Sequence, residues 1–316
     1  MFIGIDVGSK HLDLAASAPT PSLPRRVPNT PAGIASLVTV LTPAAPTLIV
    51  LEATGAYHQP LLAALLIATL PVSVVNPAQV AAFRTTGLGR HKTDRADAQL
   101  LARFAALHHA ELRRATPEEP DLAQLRALVS YRDDLVGQQT AWRNRQHAVR
   151  WTGREAVLAW LEADLAQIAT RLREVEREIA ALLATRPETA VLTAQAGVGL
   201  LTAAAVLASL PAGVLGNPKA AAAYAGIHPR QEQSGQRNRS RVSKQGCPAV
   251  RRALYLAAMC AIRFDPELGA WYRSLCARGT APKSATCAVA HKLLRRMMGK
   301  IRDLRADPPA ILPLAA

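Results

Sequence analysis

Residues 2–16 read FIGIDVGSKHLDLAA, and this stretch fixes the start of the fold. Phe2–Val7 and His11–Ala16 are predicted strands, and Gly8-Ser9 between them predicts a turn. Thr47–Leu51 is a continuous apolar run, which is typical of a strand buried on both faces. The elements between and after them alternate: helix over Pro31–Leu41, helix over Pro60–Leu70, strand over Pro71–Val75, and helices over Pro77–Phe83 and Thr93–His108. This alternation predicts an α/β layer fold.

Four carboxylates occupy chemically informative positions in these elements. Asp6 lies within or at the end of the first strand, and Glu52 ends the central apolar run. Asp94 and Asp97 follow Thr93, a candidate N-cap, and so share one helix face. Carboxylates at the ends of buried strands are costly without a cation, and hard oxygen ligands suit Mg²⁺. Taken alone, each acid also fits a turn residue or a helix N-terminus.

The segment 121–185 lacks strand character and is rich in Arg, Glu, Leu and Ala. An unbroken heptad seam runs through it, with spacings of three and four residues: Leu158, Leu161, Leu165, Ile168, Leu172, Val175, Ile179 and Leu182. Trp151-Thr-Gly153 predicts a turn between two long helices. The seam predicts either an antiparallel hairpin packed on itself or a dimerising coiled coil, and the two are compatible.

The remainder, from Pro187, predicts an all-helical domain. Its turn Gly197-Val-Gly199 resembles a helix-hairpin-helix element, whose backbone amides can meet a DNA phosphate, although a plain glycine turn explains it equally well. Residues 228–252 contain seven basic residues and one acid, and their glycines and prolines predict a loop. Ser234, followed by Gly235, is a candidate nucleophile there. Ser240 and Ser243 remain alternatives on chemistry alone.

Composition favours a polyanionic partner, because the net charge is +15. The four cysteines form no C-x-x-C pair, which argues against a zinc site or a disulfide framework. The longest apolar run, 61–70, is too short to span a bilayer, and the N-terminus has no basic leader region. The sequence therefore predicts a cytoplasmic protein without a membrane partner.

The order of motifs resembles one family of insertion-sequence transposases. The motifs are Gly-Ile-Asp6, Glu52-Ala-Thr-Gly-Ala-Tyr57, Asn76-Pro77, Lys92-Thr-Asp94-x-x-Asp97-Ala, Gly197-Val-Gly199, Ala225-Gly-Ile-x-Pro229-Arg, Gln233-Ser234-Gly235 and Arg251-Arg-Ala-Leu-Tyr255. The family, of insertion-sequence 110 type, combines a RuvC-like DEDD domain with a serine-bearing C-terminal transposase domain. It is related to the Piv-type DNA invertases, and its members are bridge-RNA-guided recombinases. The stretch between Ser234 and Ser243 is shorter than in that family.

The resemblance implies a ribonuclease-H-like (RuvC-like) mixed sheet over 1–119, a coiled-coil helical hairpin over 120–186 and the serine transposase domain over 187–316. It implies that Asp6, Glu52, Asp94 and Asp97 bind Mg²⁺ and that Ser234 forms a transient bond to DNA. The implied partners are element and target DNA, a structured guide RNA, and further copies in a homodimer or homotetramer. The acids of one subunit would work with the serine of another.

The nucleic-acid contacts expected from these basic and glycine-rich segments are Lys92, Gly197, Gly199, Arg230, Arg237, Arg239, Arg241, Lys244, Arg251 and Arg252. Two other functions fit the same residues. One is a nucleic-acid-binding structural protein whose acids are architectural, and the other is a junction nuclease that uses water instead of serine.

Overall fold

The computed structural model describes residues 1–20, 22–53, 55–85, 94–234, 237–242 and 246–307; for 94–95, 229–234 and 237–242 it describes the backbone alone. The chain divides into two compact units, Met1–Glu118 and Glu119–Ala316. The three-part division expected from the sequence stays a prediction. No helix in the described part of the chain is long and apolar enough to cross a membrane.

In its described residues, the first unit contains five strands and four helices. The strands are β1 (Phe2–Val7), β2 (His11–Ala16), β3 (Arg26–Pro28), β4 (Leu48–Glu52) and β5 (Val72–Val75). The helices are α1 (Pro31–Ala44), α2 (Gln59–Ile67), α3 (Pro77–Thr85) and α4 (Asp94–His108). The strands predicted at 2–7 and 11–16 are confirmed at those bounds, whereas the three-residue β3 was not predicted.

The five strands form one mixed sheet in the order β3-β2-β1-β4-β5. The first three strands are mutually antiparallel, and β4 and β5 run parallel to β1. Parallel neighbours need crossover connections, which α1 and α2 supply. This order confirms the ribonuclease-H-like mixed sheet expected from the sequence.

Both faces of the sheet are covered, which explains the nearly continuous apolar character of β1 and β4. One face carries Ile3 and Ile5 and packs with apolar residues of α1 and α2. The opposite face carries Val50 and packs against α3 and α4 through a second cluster that includes Leu101. The candidate acids lie on this second face.

The second unit begins with two long helices, α5 (Pro120–Thr152) and α6 (Glu155–Ala184). Gly153 between them has φ +64°, a left-handed conformation that glycine adopts without strain. The helices pack on each other, so the predicted antiparallel hairpin is confirmed. Ile168, Val175 and Ile179 of the seam are buried, whereas Leu158 is only half-buried.

The rest of the second unit contains six helices and a two-stranded sheet among its described residues. The helices are α7 (Pro187–Thr193), α8 (Leu200–Ser209), α9 (Pro218–Ala225), α10 (Pro248–Phe264), α11 (Pro266–Ala277) and α12 (Pro282–Ala306). They share one apolar core with the inner half of the α5–α6 pair. The two strands, β6 (Pro229–Ser234) and β7 (Arg237–Val242), are antiparallel. This sheet, hereafter the ribbon, departs from the predicted all-helical domain with an arginine-rich loop.

Candidate active site

Asp6 and Glu52 are brought together by the parallel pairing of β1 and β4. Ile5 pairs with Leu51 in this register, so Asp6 and Glu52 are the next residues on their strands. Neighbouring strands lie about 4.7–4.9 Å apart, and residues at matching positions share a face. Two carboxylates 46 positions apart in the sequence therefore lie side by side where these strands end.

The direction of α4 carries the remaining two acids toward the same end of the sheet. The ring of Phe2, at the start of β1, packs against that of His109, just beyond the C-terminus of α4, with ring centroids 4.9 Å apart. Farther along β1, Gly4 lies directly beneath Ala98. The helix thus runs antiparallel to β1, and its first turn, with Asp94 and Asp97, continues toward Asp6. Asp94 is the first residue of α4, and its side chain lies outside the described residues.

Asp97 has a counter-ion on the neighbouring helix. The Arg84 guanidinium on α3 donates a 2.8 Å hydrogen bond to Oδ1 of Asp97, whose side chain is 16% exposed. Among the side chains that the structure describes, no three Asp, Glu, His or Cys groups form a cluster that could hold a metal ion. The described residues therefore show Asp6 and Glu52 as neighbours on adjacent strands, and Asp97 paired with Arg84 on the helix layer that covers that face.

A fifth carboxylate, Asp13, was not identified from the sequence. It is the β2 residue paired directly with Asp6, and it is 8% exposed. Arg26 on β3 donates two hydrogen bonds to its carboxylate, from Nε to Oδ1 and from Nη2 to Oδ2, both of 3.0 Å. The sequence signal for Asp13 was its position between Leu12 and Leu14, in a predicted strand that is apolar after its first residue.

Asn29 connects two loops at the end of the sheet where the acids lie. Its side-chain amide donates to the Gly8 carbonyl at 2.8 Å and to the Tyr57 carbonyl at 3.3 Å. One amide thus links the turn that follows β1 to the segment that follows β4. This contact holds the exits of the two acid-bearing strands together.

The ribbon places Ser234 at its tip. Ser234 is the last residue of β6 and pairs with Arg237, the first residue of β7. Arg230 pairs with Arg241, and Glu232 pairs with Arg239. The sequence signal for this hairpin was the dipeptide Gly235-Gln236. Two-residue connections that contain glycine are common in β-hairpins. The glycines and prolines of residues 228–252 predicted a loop instead.

Strand alternation divides the ribbon into two chemically different faces. One face holds Ser234 together with Arg230, Glu232, Arg237, Arg239 and Arg241. The other holds uncharged residues: Pro229, Gln231, Gln233, Asn238, Ser240 and Val242. Ser234 and its alternative Ser240 therefore occupy opposite faces, and Ser234 shares its face with all four arginines. Ser243, Lys244 and Lys92 lie outside the described residues.

The two glycines between α7 and α8 differ in their surroundings. A β-carbon on Gly197 would lie 2.4 Å from the carbonyl oxygen of Ala257, so this residue permits close packing on α10. Gly199 has nothing within 4 Å of that position. Gly197 thus has a structural role, and phosphate binding by the turn stays a prediction.

The candidate DNA contacts on α10 lie at its first turns. Arg252 pairs with Asp133 of α5, and its side chain is 62% exposed. Arg251, one residue earlier, lowers the pKa of the nearby Cys287 thiol, although burial of the thiol has the larger, opposite effect. Contact of either arginine with nucleic acid stays a prediction.

Close glycine packing joins the chain segments before and after the ribbon. A β-carbon on Gly246 would lie 2.5 Å from both the Gly226 nitrogen and the Tyr224 carbonyl oxygen. His228 precedes β6 and lies near His291 of α12. Burial lowers the pKa of His291, and electrostatic interactions with Arg295 and His228 lower it further.

Two sequence profiles match most of the chain. The profile of the IS110 DEDD domain, described as "Transposase", matches residues 3–149. A second profile, "Transposase IS116/IS110/IS902 family", matches residues 189–273. The first match contains all four predicted acids, and the second contains Ser234 and the ribbon.

Individual relatives agree with these profiles. The chain is 30% identical to the "Insertion element IS110 uncharacterized 43.6 kDa protein" of Streptomyces coelicolor, over 72% of this chain and 58% of that protein. It is 27% identical to the "Pilin gene-inverting protein" of Moraxella lacunata and to that of Moraxella bovis, over 81% of this chain and 80% of each relative. The chain thus aligns with just over half of the Streptomyces protein.

Solved structures give a partial likeness. Thermus thermophilus RuvC matches at a TM-score of 0.29 and 17% identity, over 36% of this chain and 99% of RuvC. RuvC in complex with a Holliday junction substrate matches at a TM-score of 0.26 and 18% identity, over 36% of this chain and 98% of that chain. The family assignment rests on the sequence matches, which together span both units. The chain belongs to the IS110 family of transposases.

Proposed function

We propose that this chain is a transposase that cuts and rejoins DNA to move an insertion sequence. The observation that carries this proposal is the placement of Asp6 beside Glu52, on the face of the sheet that α4 covers. A family of transposases whose profiles match both units supports the same activity. The name of the Moraxella relatives, which invert a pilin gene, supports site-specific strand exchange.

Asp6 and Glu52 would supply two adjacent oxygen donors to a divalent metal ion. Two carboxylates held side by side repel each other unless a cation lies between or near them. Asp94 and Asp97, at the start of α4, would complete an all-oxygen ligand set of the kind that Mg²⁺ prefers. When bound, Mg²⁺ would supply positive charge to a phosphodiester and its leaving oxygen. To bind the metal ion, the Asp97 carboxylate would either contact Arg84 and the ion together or release Arg84.

Ser234 is the proposed nucleophile. Its hydroxyl oxygen would attack a DNA phosphorus, forming a serine–phosphate ester while the bond to the 3′ oxygen breaks. The serine proton would be transferred to that oxygen, giving a free 3′-hydroxyl. Attack by the 3′-hydroxyl of another strand would then restore a phosphodiester and release the serine. Each step exchanges one phosphate ester for another, so the reaction needs no external energy source.

The arginines on the Ser234 face support this role. A serine hydroxyl is a weak nucleophile at neutral pH and depends on stabilisation of the charge that develops at phosphorus. Guanidinium groups bind phosphate oxygens with two parallel hydrogen bonds. Four arginines share the Ser234 face of the ribbon, whereas Ser240 lies on the uncharged face. This difference favours Ser234 over Ser240.

The proposed partners are DNA, a structured guide RNA and further copies of the chain. The net charge of +15 supports polyanionic partners in general. The guide RNA and the oligomer follow from the family resemblance. The acids and the serine belong to different units. Both would be required for strand exchange.

Trapping of a protein–DNA adduct tests the nucleophile. Wild-type protein, incubated with Mg²⁺ and DNA carrying the element ends, should give an adduct that survives denaturing electrophoresis. Ser234→Ala should bind DNA but give no adduct. Ser240→Ala is the matched control, since it removes the same hydroxyl from the opposite face of the ribbon, and it should retain the adduct. Adduct formation by Ser234→Ala would exclude Ser234 as the nucleophile.

The acids are tested with the same assay. Asp6→Ala should fold and bind DNA yet lose the adduct. A mixture of Asp6→Ala and Ser234→Ala chains should recover part of the activity if acids and serine from different copies act together. Cleavage by Ser234→Ala without an adduct would favour a nuclease that uses water. Full activity of Asp6→Ala would favour purely architectural acids.

A further inference from the structure

Three loops meet at the end of the sheet where the two strand-end acids lie. They are the turn 8–10 between β1 and β2, residues 29–30 after β3, and residues 55–58 ahead of α2. Asn29 fastens them together. Its backbone N–H donates to the Lys10 carbonyl at 2.8 Å. Its side-chain amide donates to the Gly8 and Tyr57 carbonyls at 2.8 and 3.3 Å. We call these three segments the loop cluster.

Tyr57 exposes an aromatic ring at the loop cluster. It is 53% exposed, and no other Phe, Tyr or Trp among the described residues of the first unit is exposed to that extent. The phenylalanines of this unit instead pack against other aromatic rings: Phe2, Phe83 and Phe104. Single exposed apolar residues are ordinary on protein surfaces, so the location of Tyr57 beside the acids decides its meaning.

The backbone on both sides of Tyr57 is fixed. Asn29 holds its carbonyl, and α2 begins at Gln59, whose N–H donates to the Ala56 carbonyl at 3.2 Å. The ring also lies against Gly55, because its Cδ2 atom is 3.9 Å from the place of a β-carbon on that glycine. A tyrosine ring turns about only two side-chain bonds, so little conformational entropy is lost when it stacks on a flat ligand.

A DNA strand that reaches the acids would pass this ring. The base of a nucleotide lies next to its own phosphate, and strand exchange requires bases near the cut to leave their original partners. Bases freed from the duplex stack on aromatic side chains, while nearby cations bind the backbone phosphates. Lys10, exposed in the turn between β1 and β2, supplies such a cation within the loop cluster.

We propose that Tyr57 stacks on an unpaired DNA base beside the phosphodiester at the acidic site, and that Lys10 binds a neighbouring backbone phosphate. This inference rests on the proposed strand-transfer function. The ligand is DNA because DNA is the strand that the acids act on in that function. Tyr57 and Lys10 thereby contact the substrate without belonging to the predicted metal ligands.

Two single-stranded probes separate stacking from phosphate binding. One is a thymine oligonucleotide, and the other is an abasic strand of the same length, which has the phosphates but no bases. Fluorescence anisotropy with the full chain, without Mg²⁺, measures both affinities. Tyr57→Ala should raise the dissociation constant of the thymine strand at least about fivefold and leave that of the abasic strand unchanged. Tyr57→Phe should bind both strands as the wild type does, since it keeps the ring.

Lys10→Gln should weaken the binding of both probes and reduce the salt slope by about one unit. Leu107→Ala is the control for the loss of an exposed apolar side chain. Leu107 is 61% exposed near the C-terminus of α4, at the opposite end of the sheet, so this change should alter neither affinity. A strand carrying 5-iodouracil, which crosslinks on irradiation to aromatic rings that it stacks on, should label Tyr57 in the wild type.

Equal weakening of both probes by Tyr57→Ala, or no change in either, would overturn the stacking. Weaker binding confined to a uracil ribo-oligonucleotide would overturn the assignment to DNA. These outcomes are independent of the adduct assay. A protein that forms the Ser234 adduct but discriminates the two probes without Tyr57 would lose this inference alone, whereas a wild type without any adduct would overturn the proposed strand transfer.

Discussion

Gly4 and Ala98 are in such close contact that a β-carbon on Gly4 would lie 2.3 Å from the Ala98 carbonyl oxygen. The same β-carbon would lie 2.3 Å from the backbone nitrogen of Ala102. Backbone atoms of a helix cannot yield as a flexible side chain can. The height of α4 above β1, and with it the position of the Asp97-bearing turn, therefore depends on glycine at position 4.

Gly4→Ala should accordingly destabilise the protein and displace α4. Overpacking of this kind costs about 1–3 kcal/mol, and contact with backbone places this site at the upper end. Gly137→Ala is the control, because Gly137 lies within α5 with nothing within 4 Å of an added β-carbon. That change should stabilise α5 by about 0.5–1 kcal/mol. Urea unfolding of both variants measures the difference, and equal stability of Gly4→Ala and wild type would contradict the contact.

The arginines of the ribbon should determine the salt dependence of DNA binding. Replacing Arg237, Arg239 and Arg241 with Gln should reduce the slope of log affinity against log salt by roughly one unit per lost phosphate contact. Ala at Asn238 and Ser240, on the opposite face, should leave the slope unchanged. Fluorescence anisotropy over a salt series gives both slopes. An unchanged slope in the arginine variant would place the phosphate-binding surface elsewhere.

The outer end of the α5–α6 hairpin should join copies of the chain. Trp151 and Trp160 are 83% and 69% exposed, and Leu165 of the seam is only half-buried, so a partner would remove apolar surface from water. Leu165→Glu with Trp160→Ser should lower the mass in solution, measured by sedimentation. Leu172 is the control, because it packs on the internal core of the hairpin. Leu172→Glu should therefore reduce stability. An unchanged mass for the variant with Leu165→Glu and Trp160→Ser would mean that the hairpin only supports its own chain.

Stability should decrease in mild acid because of His291. Burial lowers the pKa of His291 below its ordinary value of 6.5, and Arg295 and His228 lower it further. As pH falls through that value, the unfolded chain takes up a proton before the folded chain does, so the free energy of unfolding decreases. His291→Gln should remove this decrease, and Arg295→Gln should reduce it. Melting temperatures from pH 8 to 5 test this, and parallel curves for all three proteins would contradict it.

The sequence predicts the sheet of the first unit well because its strands follow simple burial rules. Apart from Asp6 and Thr47, the segments Phe2–Val7 and Thr47–Leu51 are apolar on both faces, and the structure confirms strands there with a shift of one residue in the second. Burial rules do not predict the strand at Arg26–Pro28, because only Val27 of its three residues is buried. The predicted helix starting at Pro77 is also confirmed, extended by two residues to Thr85.

The candidate site is less accessible to sequence reasoning because it depends on register. Asp6 and Glu52 stand out by their place at strand ends, but their adjacency requires the parallel β1–β4 pairing. Asp13 and Arg26 become informative only when β2 and β3 are aligned beside them. The ribbon depends on cross-strand pairing in the same way, because its arginines share a face with Ser234 only in the observed register.

Gly246 follows the ribbon in the chain, and it packs on the backbone of Tyr224 and Gly226, which precede the ribbon. The six residues of β6 span roughly 20 Å, at about 3.3 Å per residue, and end at Ser234. Any side chain at position 246 would have to displace backbone atoms at the entry to the ribbon, where they have least freedom to move. The close approach of the segments on either side of the two strands therefore requires a residue without a β-carbon at position 246.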